Sequence, residues 1–299
     1  MFGTSGVRGT LDDVSPSLLL KIGRAVGRKS ERVVVGRDGR LSGGALSSAF
    51  CSGAQSAGAE VVYVGYVPTH TLAWSARHFD SVGAVITASH NPVEQNGVKL
   101  FGSDGIELGR DSEEEIERGV EDSSMAEWSD WTEVEEREVI DDYLAEAREY
   151  VGEHTEGELG LRVAVDCGNG VGALTTLPLL ESLGCDVVGV NAQVDGAFPG
   201  RDPRPSDSSL EEFKQFVANG DADGGFDVGF GVAHDGDADR LVVVKPDGEL
   251  VSGDAVIALL AREAVERTSV DNPTVLTTPV SSLRVTEMVE DAGGSVEHA

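Results

Sequence analysis

Cysteine is scarce in this sequence, with three residues in 299: Cys51, Cys167 and Cys185. An odd, widely spaced trio excludes a disulfide framework and offers no metal-ligand spacing, so the three read as small buried residues in a reducing compartment. Lysine is almost as rare, confined to Lys21, Lys29, Lys99, Lys214 and Lys245. Lys and Arg together number 23 against 53 Asp and Glu, giving a formal charge of −30. That field repels nucleic acid and anionic membrane, which excludes both as partners. A carboxylate-rich, lysine-poor surface suits a halophilic protein, where salt screens the self-repulsion. No apolar run reaches about 18 residues, so no membrane span is expected. The opening Met-Phe-Gly-Thr-Ser-Gly lacks a basic segment followed by an apolar run, so no signal peptide is read there and the expected location is cytoplasmic.

What the sequence does contain is short apolar runs alternating with helix-length segments. Arg32 to Gly36, Glu60 to Val64 and Val82 to Thr87 read as strands, with helices over Ser42 to Gly58 and up to His78. Unbroken Val/Ile runs suit strands covered on both faces, and strand–helix–strand repetition predicts an α/β fold. Mainly parallel mixed sheets are expected, sandwiched by helices. Ser112 to Tyr150 is dense in Asp and Glu and reads as a solvated helix pair leading into a linker near Gly152 to Gly160. A second unit opens at Leu161 to Cys167 and continues through Asp186 to Val190 and Val228 to Ala233, with helices at Leu177 to Leu183 and Ser209 to Ala218. A third begins near Gly253, with a helix to Arg267, a strand at Thr274 to Thr278 and a helix from Ser282 to Asp291. The expected domains are therefore 1–152, 153–252 and a partial 253–299, ending where the next strand would begin.

Three segments carry chemistry. Thr87-Ala88-Ser89-His90-Asn91-Pro92 sits at the carboxyl end of a predicted strand, where open parallel sheets place their ligands. A turn there exposes the Ser89 hydroxyl beside a ring nitrogen; the plain alternative is a polar turn in which Ser89 and Asn91 cap a following helix. Asp235-Gly236-Asp237-Ala238-Asp239-Arg240 places carboxylates at i, i+2 and i+4, which on an extended segment share one side and converge on a hard cation. An EF-hand is excluded, because Arg240 stands at the sixth position and Pro246 at the twelfth. A solvated acidic turn is the other alternative. Phe2 to Gly9 adds glycines that let backbone approach a phosphate, with Arg8 to hold it.

Taken together and in this order, these segments resemble those of the α-D-phosphohexomutases, the family of phosphoglucomutase, phosphomannomutase and phosphoglucosamine mutase. Weaker similarities at Val35-Gly36-Arg37-Asp38, Val165 to Gly170 and Gly253-Asp254 extend the resemblance along the whole chain. The resemblance implies that Ser89 carries the phosphoryl group and that Asp235, Asp237 and Asp239 bind Mg2+, with a phosphate oxygen on Ser89 completing the shell. It makes Lys99 the general acid/base, places Arg8 and His90 beside the reacting phosphate, and makes Arg240 the charge partner near the metal. The implied substrate is a hexose phosphate, with a hexose 1,6-bisphosphate as intermediate and activator. A phosphoserine carries roughly −2, and magnesium with Arg8, Lys99 and Arg240 offsets both it and the aspartates.

The family pattern has four domains, and the late sugar-recognition and phosphate-clamping loops are not found here. A shortened or divided gene is the expectation, with weak substrate binding unless a partner chain supplies the rest. His70 stands where the family commonly has a second proline and reads as a tolerated turn substitution; His234, before the aspartates, reads as packing. Alternatives to the mutase are a non-catalytic remnant that binds magnesium, an acidic partner-binding protein, and a phosphatase with Asp235 as nucleophile. The Ala between the second and third aspartates leans toward glucose or mannose over glucosamine phosphate.

Overall fold

Val33 and Val35 face one side of a sheet and Val34 the other, and all three are fully buried. A strand covered on both faces must be apolar at every position rather than at alternate ones, which is why Arg32 to Gly36 reads as an unbroken run. The structure, a computed structural model, describes residues 3, 6–155, 157–220 and 228–298.

The first part of the chain runs β1 (Val7–Thr10), α1 (Pro16–Gly27), β2 (Arg32–Arg37), α2 (Gly43–Ser56), β3 (Glu60–Tyr66), α3 (Thr69–His78), β4 (Val82–Ile86), β5 (Gln95–Phe101), α4 (Arg110–Gly119), β6 (Val134–Glu136) and α5 (Ile140–His154). Its strands form one sheet in the order β1-β5-β4-β2-β3-β6. β2 pairs in parallel with β3 and β4, and β3 in parallel with β6, while β5 runs antiparallel to both β4 and β1. One face is covered around Leu19, Ile22, Leu46, Phe50 and Ile116, the other around Leu72, Trp74 and Val139. Ser15 caps α1 by accepting from the Leu18 amide at 3.3 Å, and Pro16 opens it with its φ already helical. α1 and α2 meet backbone to backbone: a Cβ added at Gly23 would lie 2.1 Å from the Phe50 carbonyl oxygen.

The second part runs β7 (Arg162–Asp166), α6 (Thr176–Ser182), β8 (Asp186–Val190), α7 (Glu211–Asn219), β9 (Phe230–His234), β10 (Leu241–Val244) and β11 (Leu250–Val251), with sheet order β11-β10-β9-β7-β8. β7 is parallel to β8 and β9, and β10 is antiparallel to β9 and β11. The third part comprises α8 (Gly253–Arg267), β12 (Thr274–Thr277), α9 (Leu283–Asp291) and β13 (Ser295–His298), with β12 and β13 parallel and a small core around Ala258, Val265, Val285 and Val289. Mainly parallel mixed sheets between helices are thus the architecture, as the residue pattern predicts.

The structure corrects three expectations. The acidic stretch Ser112 to Tyr150 is not only a helix pair, because Val134–Glu136 between the helices adds β6 to the edge of the first sheet. The helix that follows continues to His154, into the segment expected as linker. The last strand does not fall beyond the sequence: β13 forms over Ser295–His298. Among the described residues no helix is long and apolar enough to cross a membrane. The three cysteines are free and buried.

Candidate active site and metal centre

Ser89 lies just beyond the carboxyl end of β4, with φ +53°, a left-handed backbone that non-glycine residues adopt at a cost. Its surroundings hold it there. The Ser89 amide donates to Thr87 Oγ1 at 2.8 Å, and the Thr87 hydroxyl donates to Asp38 Oδ2 at 2.7 Å. Arg40, fully buried and paired with Asp38 at 3.1 Å, spreads its guanidinium over the carbonyls of Ser89, Asn91, Pro92 and Gln95 at 2.7–2.9 Å. One buried cation thus ties together four carbonyls of the turn, that of the fully buried Ser89 among them.

The hydroxyl is not exposed by this turn, contrary to expectation. Ser89 is fully buried, and its Oγ donates to Asp235 Oδ2 at 2.7 Å, with Asp239 Oδ1 at 3.4 Å and His90 Nδ1 at 3.2 Å. The segment after β9 covers it, which places residues 146 positions apart in direct contact.

The aspartates do converge, but not along an extended segment. Residues 235–240 form a turn in which Ala238 has φ +55°, and this reversal gathers the side chains. One ligand oxygen from each of Asp235, Asp237 and Asp239 lies within 4.8 Å of the others. Asp235 and Asp237 are buried and Asp239 is partly open. Burial, with Asp237 and Asp239 beside it, pushes the Asp235 carboxyl up to about 8. Burial also opposes ionisation of Asp237, but Lys99 and the Thr69 hydroxyl outweigh it and hold that group below the usual carboxylate range. Asp237 Oδ1 is buried with no hydrogen-bond partner. Three crowded carboxylates with an orphaned oxygen are a donor set for a hard divalent cation, so these residues fit magnesium.

Lys99 reaches the cluster from β5, donating to Asp237 Oδ2 at 2.9 Å and also to Asp239. Burial disfavours its charge, but the two aspartates prevail and hold the ammonium above its ordinary range. Arg8 lies on β1, where it pairs in register with Gly97 of β5, and its Nε is buried without a partner. Phe2, Thr4 and Ser5 of the glycine-rich opening lie outside the described residues. Arg240 is half exposed, 3.9 Å from both Asp235 and Asp239. Burial, reinforced by Arg240, Arg204 and Arg8, lowers His90 to about 4, which keeps its ring neutral. His234 turns away from the aspartates, toward the Arg240 carbonyl at 2.9 Å and the Thr176 hydroxyl at 3.0 Å, and so packs as expected.

Sequence reasoning passes over several contributors. Arg40 is one of many arginines, and only its place two residues after a buried aspartate marks it. Thr69 donates its amide to the Asp237 carbonyl at 2.9 Å and its hydroxyl to Asp237 Oδ2 at 2.6 Å. Glu107 stands half-buried near Lys99 and Arg8; burial raises its carboxyl against the pull of those two cations.

Comparison with known proteins agrees with this geometry. Residues 1–127 match the phosphoglucomutase/phosphomannomutase α/β/α domain I, and residues 141–248 match domain II. A phosphopentomutase of Thermococcus kodakarensis is 40% identical over 300 residues, spanning 99% of this chain and 64% of that protein. A phosphoglucosamine mutase of Methanocaldococcus jannaschii is 37% identical over 294 residues, spanning 97% of this chain and 63% of that one. A crystal structure of a phosphoglucomutase/phosphomannomutase family protein from Burkholderia thailandensis superposes with a TM-score of 0.84 at 28% identity, covering 99% of this chain and 65% of the other. The chain therefore spans less than two thirds of the length of these relatives. Both halves of the site lie within the two matched domains, and the chain belongs to the α-D-phosphohexomutase family.

Proposed function

We propose that this chain carries the phosphoryl-transfer centre of a mutase interconverting hexose 1-phosphate and hexose 6-phosphate, with glucose or mannose as the sugar. Glucosamine phosphate is the alternative substrate. The observation that supports this most is the contact of the Ser89 hydroxyl with Asp235, inside a cluster that also holds Asp237, Asp239 and Lys99. A serine held in a strained backbone by a buried Arg–Asp pair is preorganised, and phosphoryl transfer draws on alignment and charge stabilisation.

In the proposed cycle the phosphoryl group on Ser89 Oγ passes to the free hydroxyl of a hexose monophosphate. The phosphorus–Oγ bond breaks, a phosphorus–oxygen bond to the sugar forms, and the sugar's hydroxyl proton ends, net, on Oγ. The product is a hexose 1,6-bisphosphate, which turns round and returns its other phosphoryl group to Ser89 with the opposite proton movement. In this reading Lys99 carries the proton on the sugar side, and Arg8, His90 and Arg240 hold the phosphate oxygens. Magnesium, when bound by Asp235, Asp237, Asp239 and an oxygen on Ser89, supplies positive charge against the transferring group.

A second, narrower reading draws on the same cluster: the chain binds magnesium and exchanges phosphate at Ser89 without full turnover, or works with a partner chain. Intact-mass measurement after incubation with glucose 1,6-bisphosphate and magnesium tests the shared core of both readings. A gain of one phosphate, absent in Ser89→Ala, is expected. Equal gain in the mutant would point to Asp235 as the acceptor and to phosphatase chemistry, and no gain in folded wild type would leave a remnant.

A further inference from the structure

His70 is not the idle turn substitution that its sequence position suggests. It is the second residue of α3, half-buried, with Nδ1 3.2 Å from the Ala238 carbonyl and Nε2 3.3 Å from the Thr175 hydroxyl. A carbonyl only accepts, so Nδ1 carries the hydrogen; Nε2 then offers a lone pair and accepts from Thr175. Each partner fixes the tautomer the other needs.

We propose that His70 is a positioning residue that locks the aspartate loop of the second domain into its cation-binding shape from the first domain. The argument turns on Ala238. Its φ of +55° is unfavourable for a residue with a Cβ; the loop's own bond from the Ala238 amide to the Asp235 carbonyl is long, at 3.2 Å, and the Ala238 carbonyl takes its contact from His70, outside the loop. The Ala238 carbonyl belongs to the peptide plane that leads into Asp239, and a donor on that oxygen sets the direction from which Asp239 approaches Asp235 and Asp237. Thr69, the preceding residue, already holds the Asp237 carbonyl and carboxylate. The first turn of α3 therefore presents three successive donors to Asp237 and Ala238, and the positive end of that helix faces the carboxylates. The Tyr143 ring, centred 5.4 Å from that of His70, backs the imidazole from α5.

The inference rests on the reading of Asp235, Asp237 and Asp239 as cation ligands, and the test separates the two. Manganese binding to the full chain is followed by the loss of free Mn2+ signal in electron paramagnetic resonance, with circular dichroism confirming the fold of each variant. His70→Phe keeps a ring beside Tyr143 and removes both hydrogen bonds. It is expected to weaken Mn2+ binding about 10-fold, the scale of losing an outer-shell partner. His70→Asn restores a donor near the Nδ1 position and is expected to recover most of that loss. Thr175→Val, which leaves the α3 sequence untouched, falls between wild type and His70→Phe. Wild-type affinity in folded His70→Phe overturns the inference alone, and so does equal weakness in His70→Phe and His70→Asn. A wild-type chain that ignores Mn2+ overturns the cation reading and this inference with it.

Discussion

Arg40 donates from Nη2 to the carbonyl oxygen of Ser89 at 2.8 Å, so the residue proposed to carry phosphate is held through its main chain by a fully buried cation. Arg40→Met keeps much of the bulk but leaves Asp38 without its buried partner and takes one donor from each of four carbonyls. A loss of about 3 kcal/mol or more is expected in urea unfolding. Phosphate incorporation at Ser89 is expected to fall even in molecules that remain folded, as intact mass would show.

Magnesium is expected to stabilise the chain, because the folded state gathers three carboxylates that the unfolded chain separates. At a concentration one hundred times Kd the gain is about 2.7 kcal/mol. Asp237→Asn, which removes the charge of the most buried ligand, is expected to abolish the rise in melting temperature, measured by calorimetry with and without the ion.

Acid should weaken the fold through His70. Burial lowers its imidazole from 6.5 to about 4. As pH falls below about 6.5 the unfolded chain takes up a proton that the folded chain refuses until near 4, so stability drops across that window. His234, lowered for the same reason, acts in the same direction. A shallower decline of the urea midpoint between pH 6.5 and 4.5 is expected in His70→Asn than in wild type.

The thiols provide a probe of native structure. Burial pushes Cys51 and Cys167 up to about 12, so neither forms appreciable thiolate at pH 8. Alkylation by iodoacetamide at that pH is expected to spare both in the native chain and to reach them in urea, as peptide mass mapping would report.

The parallel strands were legible because burial on both faces demands apolar runs, and Val33 to Val35 meets that demand. β5 was not, since Gln95, Asn96, Gly97 and Lys99 interrupt any apolar run, yet the strand lies between β1 and β4. β6 escaped notice because its three residues are all exposed and two are glutamates. The loops around Ser89 and Asp235 could be found as motifs. Their mutual contact could not, because no local pattern encodes which surface of one domain settles on another. The burial of Ser89 follows from that contact, and so does the role of Thr69, whose partner is 168 residues away.

The seam between the two domains also constrains inheritance. Ser89, Lys99, Thr69 and His70 come from one side of it, and Asp235, Asp237, Ala238 and Thr175 from the other. A chimera joining the first half of one relative to the second half of another would keep two sound cores, yet it would bring together residues 70 and 175 that had never been selected as a pair. Each core is closed within its own half, whereas the site is closed only across the seam.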